Sequence, residues 1–183
     1  MKTKQAKEVL ARMLREQAMS HLISLGFQAW RPKSRRVGMF PTYYQRLRGD
    51  QVDSVRFDWD LYGRPLIVVR FAKTRNPKLA EAAEMGARID EIHGFIPDLG
   101  GELAARRYLL CPRWFGLGSV LTFILPEWVA SRYLNWKVGR MLIRLNELDA
   151  LLTSGRSRET ISLWWVDGVP TEKSGSFEPR NLE

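Results

Sequence analysis

The chain is poor in the residues that build metal centres and disulfides. It has one cysteine, Cys111, and two histidines, His21 and His93, among 183 residues. A single cysteine excludes an internal disulfide and suits a reducing compartment. Neither histidine has a Cys or His neighbour at ligand spacing, so no metal is expected, and His21 reads as a helix-packing residue. Long apolar runs are missing too. The nearest, Leu117 to Leu125, is cut short by Pro126-Glu127, well below the ~18 residues of a membrane span. At the N-terminus Lys7, Glu8, Arg12, Arg15 and Glu16 interrupt any signal-peptide core. These absences predict a cytoplasmic protein with no membrane partner.

Nucleotide and acyl-transfer signatures are likewise lacking. Gly116-Leu117-Gly118 begins a dinucleotide-binding fingerprint that the following residues do not complete. There is no P-loop and no Gly-x-Ser-x-Gly elbow. The sequence therefore predicts no cofactor and assigns no catalytic residue. One enzyme reading has some shape: Asp58 and Asp60 on one strand, with Lys73 ending the next, suggest a metal-dependent nuclease. The strand signature of that class needs an acid two residues before the lysine, and Phe71 stands there. Asp58 and Asp60 read more simply as a solvated strand face, paired across strands with Arg46 or Arg70.

Acids are scarce at one end of the chain. The net charge is +9, and residues 1 to 48 carry eleven Lys and Arg against only Glu8 and Glu16. The remaining residues carry eighteen of each sign. The whole excess thus belongs to the first quarter, a distribution that fits a polyanion-binding surface, nucleic acid first. It equally fits a solvated helix and a basic loop that keep the protein soluble. The candidate contacts are Lys33, Arg35 and Arg36 in a loop able to wrap a phosphate backbone, with Ser34 among them. Lys4, Lys7, Arg12 and Arg15 on the first helix would add longer-range attraction. Arg46 and Arg48 share a strand face with Tyr44, so a base stacked on the ring has cations beside it.

What is present in quantity is apolar patterning. Apolar residues make up 45% of the chain, with seven Trp and eight Phe, enough for one core, and residues 1–170 read as one domain with 171–183 a flexible tail. The stretch Thr42 to Lys73 predicts three antiparallel strands. In its middle segment Val55, Phe57, Trp59 and Leu61 alternate with Arg56, Asp58, Asp60 and Tyr62, the period-two mark of a half-buried strand. Gly49-Asp50 and Tyr62-Gly63-Arg64-Pro65 supply the turns. Leu10, Leu14, Ala18, Leu22 and Leu25 predict an amphipathic helix over 4–25, closed by a left-handed cap at Gly26 with Phe27 folding back. A short strand follows at Phe27 to Arg31.

Asn76-Pro77 opens a second helix, expected through Leu79, Ala82, Ala83, Ile89 and Ile92 to Gly94. Ile96 to Gly101 reads as loop, Glu102 to Arg107 as a short helix and Tyr108 to Cys111 as a strand. From Pro126 a long helix is expected over 127–153. Trp128, Val129, Tyr133, Trp136, Arg140 and Ile143 recur at helical spacing, and Met141, Leu142, Leu145, Leu148 and Leu152 widen its apolar face. Ile161 to Val166 closes the chain as a strand, with a turn at Asp167-Gly168. The fold expected is α+β: an antiparallel sheet of four to six strands, packed on one face by the helices at 4–25 and 127–153.

The order of parts also resembles a known family. A helix ending Leu25-Gly26-Phe27, a Tyr43-Tyr44-x-Arg46 strand, the strand Val55-Arg56-Phe57 and the strand Ile67-Val68-Val69 are together similar to a family of uncharacterised bacterial α+β domains known only as a domain of unknown function. The resemblance covers roughly residues 8 to 72. It implies the same fold, and it implies no catalytic residue. The functional expectation is a non-enzymatic binding domain with nucleic acid as partner. The alternatives are a protein-interaction module of immunity or accessory type, or an enzyme of unrecognised type. An acidic substrate mimic is the one immunity version that the basic first quarter opposes.

Overall fold

The computed structural model describes residues 3–30, 43–60, 64–89, 97–103, 115–117, 121, 124–155 and 161–170. The N-terminal helix is α1 (Thr3–Met13), a π-helical segment (Leu14–Met19) and α2 (Ser20–Ser24) in one continuous run. Its buried residues explain the widened middle. Ala6, Leu10, Leu14, Ala18 and Leu22 are all buried and spaced strictly by four. That spacing drifts about 40° per step around an α-helix of 3.6 residues per turn, and the wider π turn takes up the drift. The helix ends as expected: Gly26 has φ +84°, and the amides of Gly26 and Phe27 bond back to Ile23 and Leu22, a Schellman cap.

The strands follow as β1 (Gln28–Ala29), β2 (Tyr43–Arg48), β3 (Gln51–Trp59) and β4 (Leu66–Arg75), then α3 (Pro77–Glu84), β5 (Leu99–Leu103), β6 (Phe115–Gly116), α4 (Glu127–Ser154), β7 (Ile161–Val166) and β8 (Val169–Pro170). All pairings are antiparallel, in the order β1-β2-β3-β4-β5-β7-β8, with β6 beside the start of β4. The body is the five longer strands, within the expected four to six, and two-residue strands lie at its margins. One side-chain row crosses all five as Tyr44, Val55, Phe71, Gly101 and Leu163. The helices α1, α2 and α4 cover that face, and the core lies between: Leu10, Leu14 and Leu22 with Leu134, Val138, Met141 and Leu145 against Tyr44, Val55, Phe57 and Phe71. The expected α+β architecture, with these helices on one sheet face, is what the chain adopts.

Three expectations change. The second helix stops at Glu84 rather than Gly94. Gly86 (φ +86°) forms a second Schellman cap, its amide bonding Ala83 and that of Ala87 bonding Ala82. The short α3 packs Ala80 and Ala83 on Val52, against the sheet's other face. Leu99–Leu103 is a strand, not loop and helix: Gly100-Gly101 continues the ladder between β4 and β7, and β7 takes one extra residue opposite them. On α4 the buried line is Ala130, Leu134, Lys137, Val138, Met141, Leu145 and Leu148, whereas Trp128, Trp136 and Ile143 face solvent. The seam at Gly116 is tight: φ is +133°, and a Cβ there would lie 2.0 Å from the Pro65 carbonyl oxygen. The strand expected at Tyr108 to Cys111, the Pro32 to Gly38 loop and the 171–183 tail lie outside the described residues.

Candidate functional site

The register on β2 decides the fate of two candidate cations. Tyr44, Arg46 and Arg48 share one face, as the alternation predicted, but it is the helix-covered face. Arg46 lies opposite Asp53 across the β2–β3 pair, and Asp53 is fully buried. Asp53 Oδ2 accepts from Arg46 Nε (3.1 Å) and Nη2 (2.9 Å) and from Arg48 Nε (3.0 Å) and Nη2 (2.7 Å). Its Oδ1 accepts from Gln51 Nε2 at 2.6 Å. Arg46 Nη1 also donates to Asp149 Oδ1 and to the Leu25 carbonyl, both at 2.7 Å. Arg48 Nη2 (2.8 Å) and Lys73 Nζ (3.0 Å) both donate to the Leu152 carbonyl.

Two helix C-termini arrive at this cluster, and their last carbonyls need donors. Cations there also complement the helix dipoles. Arg46 further stacks over Phe27, its guanidinium carbon 4.4 Å from the ring centroid. Burial pulls the Lys73 ammonium below its ordinary 10.5, opposed by Asp53 and assisted by Arg75 and Arg48. Arg46 and Tyr44 are therefore buried in the interior, and Arg48, with 31% of its side chain exposed, has its guanidinium committed to Asp53 and the Leu152 carbonyl. A cleft of about 510 Å³ opens beside Lys73, between the end of α4 and β5 and β7. It holds Arg75 and Lys73 together with Asp98 and Asp167, a balanced set with no net field for an anion.

The other sheet face carries a second charged row. Tyr43, Arg56, Arg70 and Glu102 stand in register across four strands. Two arginines directly opposite each other repel, and carboxylates hold them. Asp58 takes Arg56 Nε at 2.6 Å and Arg70 Nη1 at 3.0 Å, and Glu102 takes Arg70 Nε at 3.1 Å. The pairing of Asp58 with Arg70 is one of the two the sequence suggested. Asp60 is instead buried and held by Arg64 at 2.6 and 3.0 Å, closing the β3–β4 connection. Lys73 stands opposite Asp53, on the face away from Asp58, so the nuclease trio does not assemble. His21 does pack between helices, its Nε2 2.8 Å from Asn146 Oδ1. Among the described residues no group of three His, Cys, Asp or Glu is placed to hold a metal, and no helix is long and apolar enough to cross a membrane.

The described candidate cations that face outward sit on the helical layer. Lys4 and Arg12 of α1 and Arg15 of the π-helical segment are exposed, and Lys7 is half-buried with its ammonium 5.3 Å from the Trp59 ring centroid. Glu8 and Glu16 are interspersed with them. Helix α4 lies alongside, joined by Gln5–Glu127 (2.5 Å), Gln17–Asn135 (3.3 Å) and His21–Asn146 hydrogen bonds whose order makes the helices parallel. Residues 128 to 146 of α4 hold no acid; of their cations Arg132 is exposed, Arg140 and Arg144 are part-buried and Lys137 is buried. On its outer side Trp128 is 70% and Trp136 40% exposed. The sequence contained this stripe, because positions 128, 136 and 143 fall opposite Leu134, Met141 and Leu145 on a helical projection. Lys33, Arg35 and Arg36 lie outside the described residues. The chain matches no family model, no curated protein and no solved structure.

Proposed function

We propose that the protein is a non-enzymatic, cytoplasmic nucleic-acid-binding domain that uses its helical layer together with Lys33, Arg35 and Arg36. The supporting observation is the outward cation set of α1 and α4. Lys4, Arg12, Arg15 and Arg132 are exposed on two adjacent parallel helices, with an acid-free run over residues 128 to 146. Such a layer attracts phosphates by counterion release without needing a motif. We also propose kinship with the uncharacterised bacterial domains that residues 8 to 72 resemble.

The test is retention on immobilised DNA or RNA at about 50 mM salt, where phosphate binding is strongest. Changing Lys33, Arg35 and Arg36 to Glu is expected to weaken binding and to shrink the log–log salt slope by roughly 0.7–0.9 for every phosphate left without its cation. Stability should shift by less than about 1 kcal/mol. No retention of the wild-type protein would overturn the proposal. A protein partner is the second reading, favoured by the exposed Trp and Arg residues of α4, the residue types that dominate interface energetics. It would appear as specific binding that bulk nucleic acid does not displace.

A further inference from the structure

The outer face of α4 holds more than charge. Trp128, Trp136 and Ile143 leave large apolar surfaces in water, with 70%, 40% and 50% of each residue exposed. Nothing in the folding of this domain calls for indoles there, since the inward line of α4 already fills the core. The two tryptophans are eight residues apart, about 12 Å along the helix axis, and exposed Arg132 stands midway, one turn from each. Around Trp136 the Lys137 ammonium lies 5.5 Å and the Arg140 guanidinium carbon 5.7 Å from the ring centroid. Tyr133 tilts against the same ring at 5.6 Å. Arg144 pairs with Glu147 at 2.6 Å, and that carboxylate lies beyond the acid-free run.

We infer that this face is a stacking platform for unpaired nucleotides, with single-stranded nucleic acid as its occupant. The inference rests on the nucleic-acid reading above and makes it specific. Aromatic faces alternating with cations suit a strand whose bases are free to stack while its phosphates meet Arg132 and Arg140. A duplex keeps its base faces covered and offers the indoles only its backbone. From Trp128 to Asn146 the helix itself carries no carboxylate to repel the strand.

The experiment measures binding of the full chain to a labelled oligothymidine of about 20 nucleotides, longer than the 4–16 that such platforms cover, and to a duplex of equal length. Trp128→Ala with Trp136→Ala is expected to weaken oligothymidine binding about thirtyfold or more, from the removal of two stacks. The salt slope should stay unchanged, because no cation is removed. Trp128→Phe with Trp136→Phe keeps two ring faces and should retain most of the affinity, which separates stacking from any disturbance of the helix. Polyglutamate, which has charge and no ring, should compete poorly.

Wild-type affinity in the alanine variant, or polyglutamate competing as well as oligothymidine, would overturn the stacking platform while leaving charge-driven nucleic-acid binding in place. Tighter binding to the duplex, insensitive to both tryptophans, would do the same. Failure of the wild-type protein to bind either nucleic acid would overturn both proposals.

Discussion

Among the described residues, cations of the first quarter of the chain include two populations with opposite surroundings. Arg46 and Arg48 each bond to a buried carboxylate and to a terminal helix carbonyl. Lys4, Arg12 and Arg15 project from the N-terminal helix into solvent. Both groups contribute equally to a charge count, yet one acts on the fold and the other on the surroundings. Strand alternation decides the difference. It sends residues 44, 46 and 48 of β2 to the face where two helices end, and a helix end creates demand for donors.

The sharpest way to break this contrast is to remove the carboxylate that anchors the interior set. Asp53→Ala leaves two guanidinium groups largely buried without their shared partner, an arrangement that costs about 3–5 kcal/mol. Urea denaturation would measure it as a shifted midpoint with an unchanged slope. A loss under about 1 kcal/mol would mean that Arg46 and Arg48 find solvent on their own, and the two populations would not be distinct.

A smaller effect should come from the cap that presents the Leu25 carbonyl to Arg46. Gly26 has φ +84°, and a Cβ there would stand 3.5 Å from Arg46 Cδ, an ordinary van der Waals separation. The cost of Gly26→Ala is therefore backbone strain alone, about 1–2 kcal/mol. Double-mutant analysis with Arg46→Met should show coupling between the two positions if the cap and the guanidinium act together. Strict additivity would separate them.

Alkaline pH sharpens the same contrast through two interior groups of opposite sign. Burial pushes the Tyr44 phenol up to about 12 from its ordinary 10.0. Between those values the unfolded chain has lost the proton that the folded protein keeps, so stability falls as pH rises. Lys73 is displaced downward from 10.5. Below 10.5 and above its folded value the unfolded chain holds the extra proton, so this group makes stability rise with pH. Tyr44→Phe should remove the fall and Lys73→Met the rise, read from urea midpoints from about pH 8 upward. An alkaline limb that Tyr44→Phe leaves unchanged would show that the phenol titrates as it does in water.

Much of this architecture is legible in the sequence because periodicity is a one-dimensional signal. The alternation of Val55, Phe57 and Trp59 sets the β3 face, and Gly26-Phe27 and Gly155 mark helix ends by chemistry local to the chain. The pairing of Arg46 with Asp149 is not legible, since 103 residues separate them and only the fold brings them together. Gly100-Gly101 misleads for a related reason. The same two residues suit a turn or a strand, and the strands on either side decide between them. The outward tryptophans of α4 were present in the pattern but merged with the apolar face, because helical spacing alone does not say how wide the buried stripe is.

The smallest effect on stability belongs to the outward set. Arg12 and Arg15 are exposed on the N-terminal helix, and Arg15 donates only a long bond of 3.5 Å to the Ala11 carbonyl. Arg12→Ala with Arg15→Ala should therefore change unfolding free energy by no more than about 0.5 kcal/mol per site. If the helical layer meets phosphates, the same substitutions should lower nucleic-acid affinity at about 50 mM salt and reduce the salt slope by roughly 0.7–0.9 for each phosphate no longer neutralised. The two readouts together discriminate between roles. Weakened binding with unchanged stability assigns these residues to the surface field, whereas unchanged binding would leave Glu8 and Glu16 as sufficient local compensation. The cations that meet the phosphates would then have to be Arg132 and Arg140, where no acid interrupts the helix.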